Sequence, residues 1–153
     1  MIIKVSAPNV YEQYGRAERS GGVLTSRATK LKLTSNLPGH VWPEIYEAAR
    51  YLLNRSPKRR LGWKSPIVKL QEWLELTDPL LNCYYLKPYS CRAYEFIHKR
   101  PKLPKLAAKV HVRYIVRYLS ANIWKIWIPE LKRVVAIRDV TFDSTKRYSL
   151  KDE

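Results

Sequence analysis

The chain has 153 residues, of which 46% are hydrophobic, which is enough for one folded domain or two small ones and argues against a disordered chain. It carries 29 lysines and arginines against 13 aspartates and glutamates, so its formal net charge is +16. A surplus of this size favours polyanionic partners, of which nucleic acid is the commonest. A basic protein of ribosomal type is the open alternative.

Several other classes of protein are disfavoured by composition. Two cysteines, Cys83 and Cys91, form neither a disulfide framework nor a zinc site, and the three histidines are scattered without metal-ligand spacing. The N-terminal segment lacks the apolar stretch of a signal peptide, and no run approaches the roughly 18 apolar residues of a membrane span. We therefore expect an intracellular protein without a membrane partner.

The first part of the chain predicts helices. Residues 1–14 are interrupted by Pro8 and are expected to form a strand or loop. A helix then runs from about Arg16 to Ser35. Its apolar face is formed by residues at helical spacing, Leu24, Ala28 and Leu31.

The second helix is the clearest element of the sequence. Pro43 suits a first helical position, and the helix should end before Pro57. Its apolar residues form one broad stripe: Trp42, Ile45, Tyr46, Ala49, Leu52 and Leu53. A basic loop, "SPKRRLGWKSP", follows, and "PIVKLQEWLEL" predicts one more short helix.

From about residue 84 the hydrophobic period changes to two. One predicted strand places five residues on the same face: Val110, Val112, Tyr114, Val116 and Tyr118. Further β-rich runs are "CRAYEFI", "IWKIWIP" and "RVVAIRDVTF". Several short strands within about 60 residues predict a small barrel or sandwich. The predicted fold class is therefore α+β, with helices first and a compact β module after them.

Basic residues gather in the first helix and in the loop after the second. Guanidinium and ammonium groups bind phosphates with release of counterions, and the interspersed aromatic residues can stack on unpaired bases. The candidate nucleic-acid-binding residues are Arg16, Arg19, Arg27, Lys30, Lys58, Arg59 and Arg60. A solvated helix face and a polar loop are the alternative interpretation.

Glu18 lies between two of these arginines, at the start of the first predicted helix. A carboxylate in a first turn is stabilised by the helix dipole, so a structural role is sufficient to explain it. Metal-assisted phosphoryl transfer needs several converging carboxylates, and the nearest other acid, Glu12, is six residues away. The residues alone favour the structural role.

Three stretches, in order, resemble the Pol polyproteins of copia-type LTR retrotransposons. "EQYGRAERSGG" is similar to the family's "Q-N-G-x-A-E-R" segment, and "LPGHVWPEIYEAARYLLNRSPKRRLGWKSP" to its "L-P-x-x-x-W-x-E-A…A-x-Y-L-x-N-R-x-P…T-P" segment. The stretch from "YSCRAYEFI" to "VVAIRDVTFDS" resembles the SH3-like barrel that follows the integrase core. Together the three motifs are far more specific than any one of them.

The resemblance implies a domain organisation and a chemistry. Residues 1–75 would be the C-terminal helical part of an RNase H-like integrase core, and residues 84–148 the SH3-like barrel. Family enzymes use an Asp-Asp-Glu triad with two Mg²⁺ ions, and Glu18 matches the third carboxylate and metal ligand. Its aspartate partners are expected upstream, so the chain alone should neither bind Mg²⁺ nor catalyse strand transfer.

The sequence departs from the family pattern at four positions. Tyr14 and Ser90 replace the usual Asn and Gly, and Arg113 and Arg117 stand where the family tends to have glycine. Arginine at such positions either crowds a barrel or turns outward. Part of the positive charge is therefore open to a second explanation: it reflects mutational decay and was not selected for DNA affinity.

These observations lead to one expectation with two alternatives. We expect a Pol fragment associated with DNA integration, nuclear if it acts as part of an integrase, that binds DNA or RNA without sequence specificity. The alternatives are a protein-interaction module built on the barrel and a relic without function. Because the sheet that normally covers the helices would be missing, their apolar stripes should stay open and allow self-association.

Overall fold

The computed structural model of the protein describes residues 15–76, 83–96 and 110–149. The helices are α1 (Gly15–Ser35), α2 (Trp42–Arg55) and α3 (Pro66–Trp73), with single 3₁₀ turns at Gly39–Val41 and Arg59–Leu61. The strands are β1 (Cys91–Phe96), β2 (Val110–Tyr118), β3 (Ile123–Ile128), β4 (Arg133–Arg138) and β5 (Val140–Arg147). The three helices and the α+β class are thus confirmed, whereas the prediction for residues 1–14 lies outside the described residues.

Local sequence explains where the helices begin and end. Pro43 lies in the first turn of α2, and the chain leaves this helix in an extended conformation at Ser56, before Pro57. The Ser65 side chain caps α3 by accepting a hydrogen bond from the Val68 N–H at 3.4 Å. No helix in the described part of the chain has the length and apolarity needed to cross a membrane.

The strands form one antiparallel sheet in the order β4-β3-β2-β1-β5. Register shifts occur after Cys91 in β1 and after Ile115 in β2, and such bulges increase strand bending and twist. The rings of Trp124 and Phe142 lie 5.0 Å apart, although β3 and β5 are not neighbours in the sheet. The sheet therefore curls on itself, as expected of a small SH3-like module.

The helices and the sheet share one hydrophobic core. Ala28 of α1 and Ile45 of α2 are buried in the same cluster as Ile115 and Trp127 of the sheet. The expectation that the helix stripes stay uncovered is wrong, because α1 packs on α2 and α2 packs on β2. Trp42 is the exception on these stripes, since it is 59% exposed. Self-association remains a prediction.

The two unexpected arginines of β2 are both paired with carboxylates. Arg113 is 7% exposed, and its Nε lies 2.8 Å from Glu95 Oε2. Arg117 turns toward α2, where its Nη1 lies 3.4 Å from Glu44 Oε2 and its Nη2 lies 3.3 Å from Glu47 Oε2. The sheet therefore accommodates both side chains, one in a buried ion pair and one at the junction with the helices.

Candidate nucleic-acid interface

Three adjoining clefts lie on the surface where α1 meets α2 and the loop that follows α2. Their volumes are about 600, 360 and 150 Å³. The first and second clefts share Ser20 and Val23, and the second and third share Leu53, so the three follow one another along α1 as a single row that we treat as one groove. We call it the basic groove after the cationic residues that line it, Arg19, Arg27, Lys30, Arg50, Lys58 and Arg60.

The helical repeat brings the α1 residues to this groove. Arg19, Val23 and Arg27 are four residues apart, and Lys30 follows three residues later, so all four lie along the same side of α1. The α1 backbone rises about 1.5 Å per residue, which spreads the cations from Arg19 to Lys30 over roughly 16 Å. The opposite wall comes from α2 and from the 3₁₀ turn Arg59–Leu61.

Most cations of the basic groove lack an ion pair. Within the described residues, five of the six have no carboxylate partner; the exception is Arg50, whose Nη2 lies 2.5 Å from Glu47 Oε2. Glu44, Glu95 and Glu72 form their ion pairs outside the groove, at the junction with the sheet, in β1 and on α3. Five cations of the groove are therefore not neutralised by ion pairs within the described residues.

The structure brings some of the predicted site residues together in the basic groove and places others outside it. Arg19, Arg27, Lys30, Lys58 and Arg60 line the basic groove. Arg59 is exposed on the same 3₁₀ turn as Arg60 but lines none of these three clefts, and the Arg16 side chain lies outside the described part. Arg50 was missed because it sits on a helix identified by its apolar stripe. The available signal was its position one helical turn after Tyr46, which places Arg50 next to the apolar stripe of α2.

Glu18 is exposed in the first turn of α1 and is not part of the basic groove. In the described ranges, no three His, Cys, Asp or Glu side chains are arranged so that they could hold a metal ion. One carboxylate supplies too few ligands for two Mg²⁺ ions, which need several bridging oxygens. The residues described here do not fit the metal pair, and we derive no metal-dependent step from them.

The loop between α2 and α3 is fixed at both ends. Lys58 N–H donates to the Lys64 carbonyl at 3.1 Å, which closes the loop through the backbone. Lys64 Nζ lies 2.5 Å from Glu72 Oε1, and this hydrogen bond, with that of Lys69, lowers the pKa of the Glu72 carboxyl. The loop therefore presents Lys58 and Arg60 from an ordered backbone.

The comparisons with known proteins agree with this architecture. Residues 91–153, which contain the five strands of the described part of the chain, match the retroviral polymerase SH3-like domain family. The chain is also 28% identical, over 138 residues, to the "Retrovirus-related Pol polyprotein from transposon TNT 1-94" of Nicotiana tabacum. The chain is therefore similar to a retrotransposon Pol polyprotein over most of its length. The resemblance to a retrotransposon Pol polyprotein with an SH3-like domain is thereby confirmed, whereas the copia type and the integrase core remain predictions.

The match with the tobacco polyprotein covers only a small part of that protein. The match covers 90% of this chain but only 10% of the relative, so the chain spans about a tenth of that Pol polyprotein's length. The activities of the whole relative are therefore not carried over to this chain.

Proposed function

We propose that this chain corresponds to the C-terminal helices of a copia-type RNase H-like integrase core and the SH3-like domain after it, and that it binds nucleic acid through the basic groove. The observation that carries the proposal is the convergence of five cations without carboxylate partners, among the described residues, on one groove. The similarity to a Pol polyprotein supports the integrase assignment.

The groove suits a phosphate backbone in its length and chemistry. Successive phosphates of one strand are about 3.4 Å apart along a duplex, so the roughly 16 Å from Arg19 to Lys30 matches about five of them. Apart from Arg50, the groove cations have no carboxylate partner within the described residues that a phosphate would have to displace. Such contacts recognise the backbone and carry no sequence information.

We further propose that the chain binds without performing strand transfer by itself. Glu18 matches the family's third carboxylate, but integrase chemistry needs two metal ions held by several carboxylates. In this proposal the Glu18 side chain is dispensable for binding. Glu18→Gln should leave DNA affinity unchanged or raise it slightly, because it removes a negative charge beside Arg19.

The salt dependence of duplex DNA binding tests the proposal. If five phosphates are neutralised, the logarithm of the association constant should fall with the logarithm of salt concentration with a slope of about −4.5. Fluorescence anisotropy between about 50 and 200 mM salt measures this slope. A slope near zero would contradict nucleic-acid binding and would favour the alternative, a protein-interaction module on the sheet.

A further inference from the structure

The loop formed by residues 58–64 holds a tryptophan in an unusual backbone conformation. Trp63 has a φ of 62° and follows Gly62, whose φ is 63°. A left-handed conformation is easily adopted by glycine but is strained for a bulky side chain. The Trp63 N–H donates to the Lys58 carbonyl at 3.1 Å, so the closed loop maintains this conformation.

Burial does not compensate for this strain. The Trp63 residue is 71% exposed, so the indole contributes little to the hydrophobic core. The turn would form at least as well with glycine at this position. A strained residue with no structural benefit is the kind of outlier from which a binding role can be inferred.

The surroundings of Trp63 indicate the kind of ligand. Lys58, Arg59 and Arg60 belong to the same loop, and none of them has a carboxylate partner within the described residues. Lys58 and Arg60 also line the basic groove, so Trp63 belongs to the loop that forms part of the groove wall. Aromatic side chains beside cationic grooves bind single-stranded nucleic acid by stacking on bases while the cations hold phosphates.

A second exposed tryptophan provides a contrast. Trp73 is 77% exposed at the end of α3, but its neighbours in sequence include Glu72 and Glu75. Exposure is therefore similar for the two indoles, whereas Trp73 lies on α3 and not in the loop that carries Lys58 and Arg60. Trp73 is therefore a control of equal exposure outside that loop.

We propose that Trp63 stacks on an unpaired base while the basic groove holds the adjoining phosphates, so that single-stranded nucleic acid is preferred over fully paired duplex. This inference rests on the nucleic-acid binding proposed above and adds the class of ligand. Bases within a duplex are stacked on each other and offer no free face to the indole, whereas every base of a single strand does.

The test compares two nucleic acids and three variants of the full chain. The probes are a labelled oligothymidylate of about 20 nucleotides, longer than the roughly 4–16 nucleotides of known single-strand sites, and a blunt duplex of equal length. Trp63→Ala should weaken oligothymidylate binding by about tenfold or more and leave duplex affinity within about twofold. Trp73→Ala should change neither affinity.

Trp63→Gly separates binding from folding. Glycine adopts the left-handed conformation without strain, so this variant should keep the loop and the wild-type urea midpoint while it loses the same affinity for oligothymidylate. In wild type and Trp73→Ala, oligothymidylate should quench tryptophan emission, and this quenching should be reduced in Trp63→Gly.

The outcomes distinguish the two proposals. Unchanged oligothymidylate binding by Trp63→Gly, with salt-dependent duplex binding intact, would overturn the stacking role alone. A Trp63→Gly variant that loses self-association in gel filtration but keeps oligothymidylate affinity would also overturn it, since the indole would then be a protein contact. Absence of salt-dependent binding to both probes in the wild type would overturn both proposals.

Discussion

Glu44 in the first turn of α2 binds Lys125 of β3, with 2.6 Å between the Glu44 Oε1 and Lys125 Nζ atoms. Its other carboxylate oxygen lies 3.4 Å from Arg117 Nη1 on β2. The Glu44 side chain is only 16% exposed, so solvent screens these ion pairs less than it screens surface pairs. One carboxylate from the helices therefore joins two strands of the sheet, beside the shared hydrophobic core.

Loss of the Glu44 charge should weaken the contact between helices and sheet. Glu44→Gln leaves Arg117 and Lys125 partly buried without their shared carboxylate, and we expect a loss of about 1–3 kcal/mol in the free energy of unfolding. Urea unfolding followed by tryptophan fluorescence measures it. The control is Glu72→Gln, which removes exposed pairs and should cost less than Glu44→Gln because solvent screens them. Equal effects of the two substitutions would contradict the junction role of Glu44.

The buried arginine of β2 should be required for stability in this chain. Arg113→Ala leaves Glu95 without the guanidinium 2.8 Å away, and because Glu95 keeps access to water the expected loss is about 1–3 kcal/mol. The exposed β4 residue Arg138, changed to alanine, is the control. An Arg113→Ala urea midpoint equal to that of wild type would contradict a stabilising role of Arg113 and its ion pair.

Alkaline pH should destabilise the fold through its buried tyrosines. Burial raises the pKa of the Tyr118 and Tyr89 hydroxyls above the ordinary value. A pKa that is higher in the folded than in the unfolded state stabilises fully below the unfolded value, near 10, and this stability is lost as the pH rises above it. The urea midpoint should therefore fall above about pH 10, and less steeply in Tyr118→Phe, which cannot ionise there. An identical pH dependence in that variant would contradict the assignment to Tyr118.

The two thiols should differ in reactivity. Cys83 is exposed, whereas Cys91 is fully buried, and burial raises the pKa of the Cys91 thiol to about 11. Since the thiolate is the reactive form, one thiol should react quickly with a thiol reagent near neutral pH and the second only on unfolding. Cys83→Ser should abolish the fast phase. Two fast phases in the native protein would show that β1 opens readily.

Local signals in the sequence were sufficient to predict the helices and strands but not how they pack on each other. Pro43, Pro57 and Pro66 bounded two helices, and alternation predicted β2. The covering of the helix stripes was missed because it depends on a sheet that is distant in sequence. Likewise, Arg117 and Glu44 are 73 residues apart, so no local pattern could predict their pairing.

The sequence predicted most of the residues of the candidate site but not how they are arranged in space. The basic residues of α1 and of the 58–64 loop were identified by charge, but their meeting across one groove requires α1 to pack on α2. Glu18 and Arg59 belong to the same clusters in sequence, yet neither lines the groove. The only sequence signal for the left-handed backbone conformation of Trp63 was Gly62 before it. A glycine does not predict that the residue after it also adopts that conformation.

The central claim, that the basic groove binds nucleic acid, is tested most directly by removing its cations against a matched control. We would compare duplex DNA affinity and salt slope for wild type, Arg27→Ala/Lys30→Ala and Arg133→Ala/Arg138→Ala. Both double variants lose two positive charges, but Arg133 and Arg138 are exposed on β4, away from the groove. We predict that the groove variant loses affinity and that its slope shrinks by about 1.8, while the β4 variant keeps the wild-type slope. Equal losses in the two variants would mean that binding follows net charge alone, and would contradict a defined site.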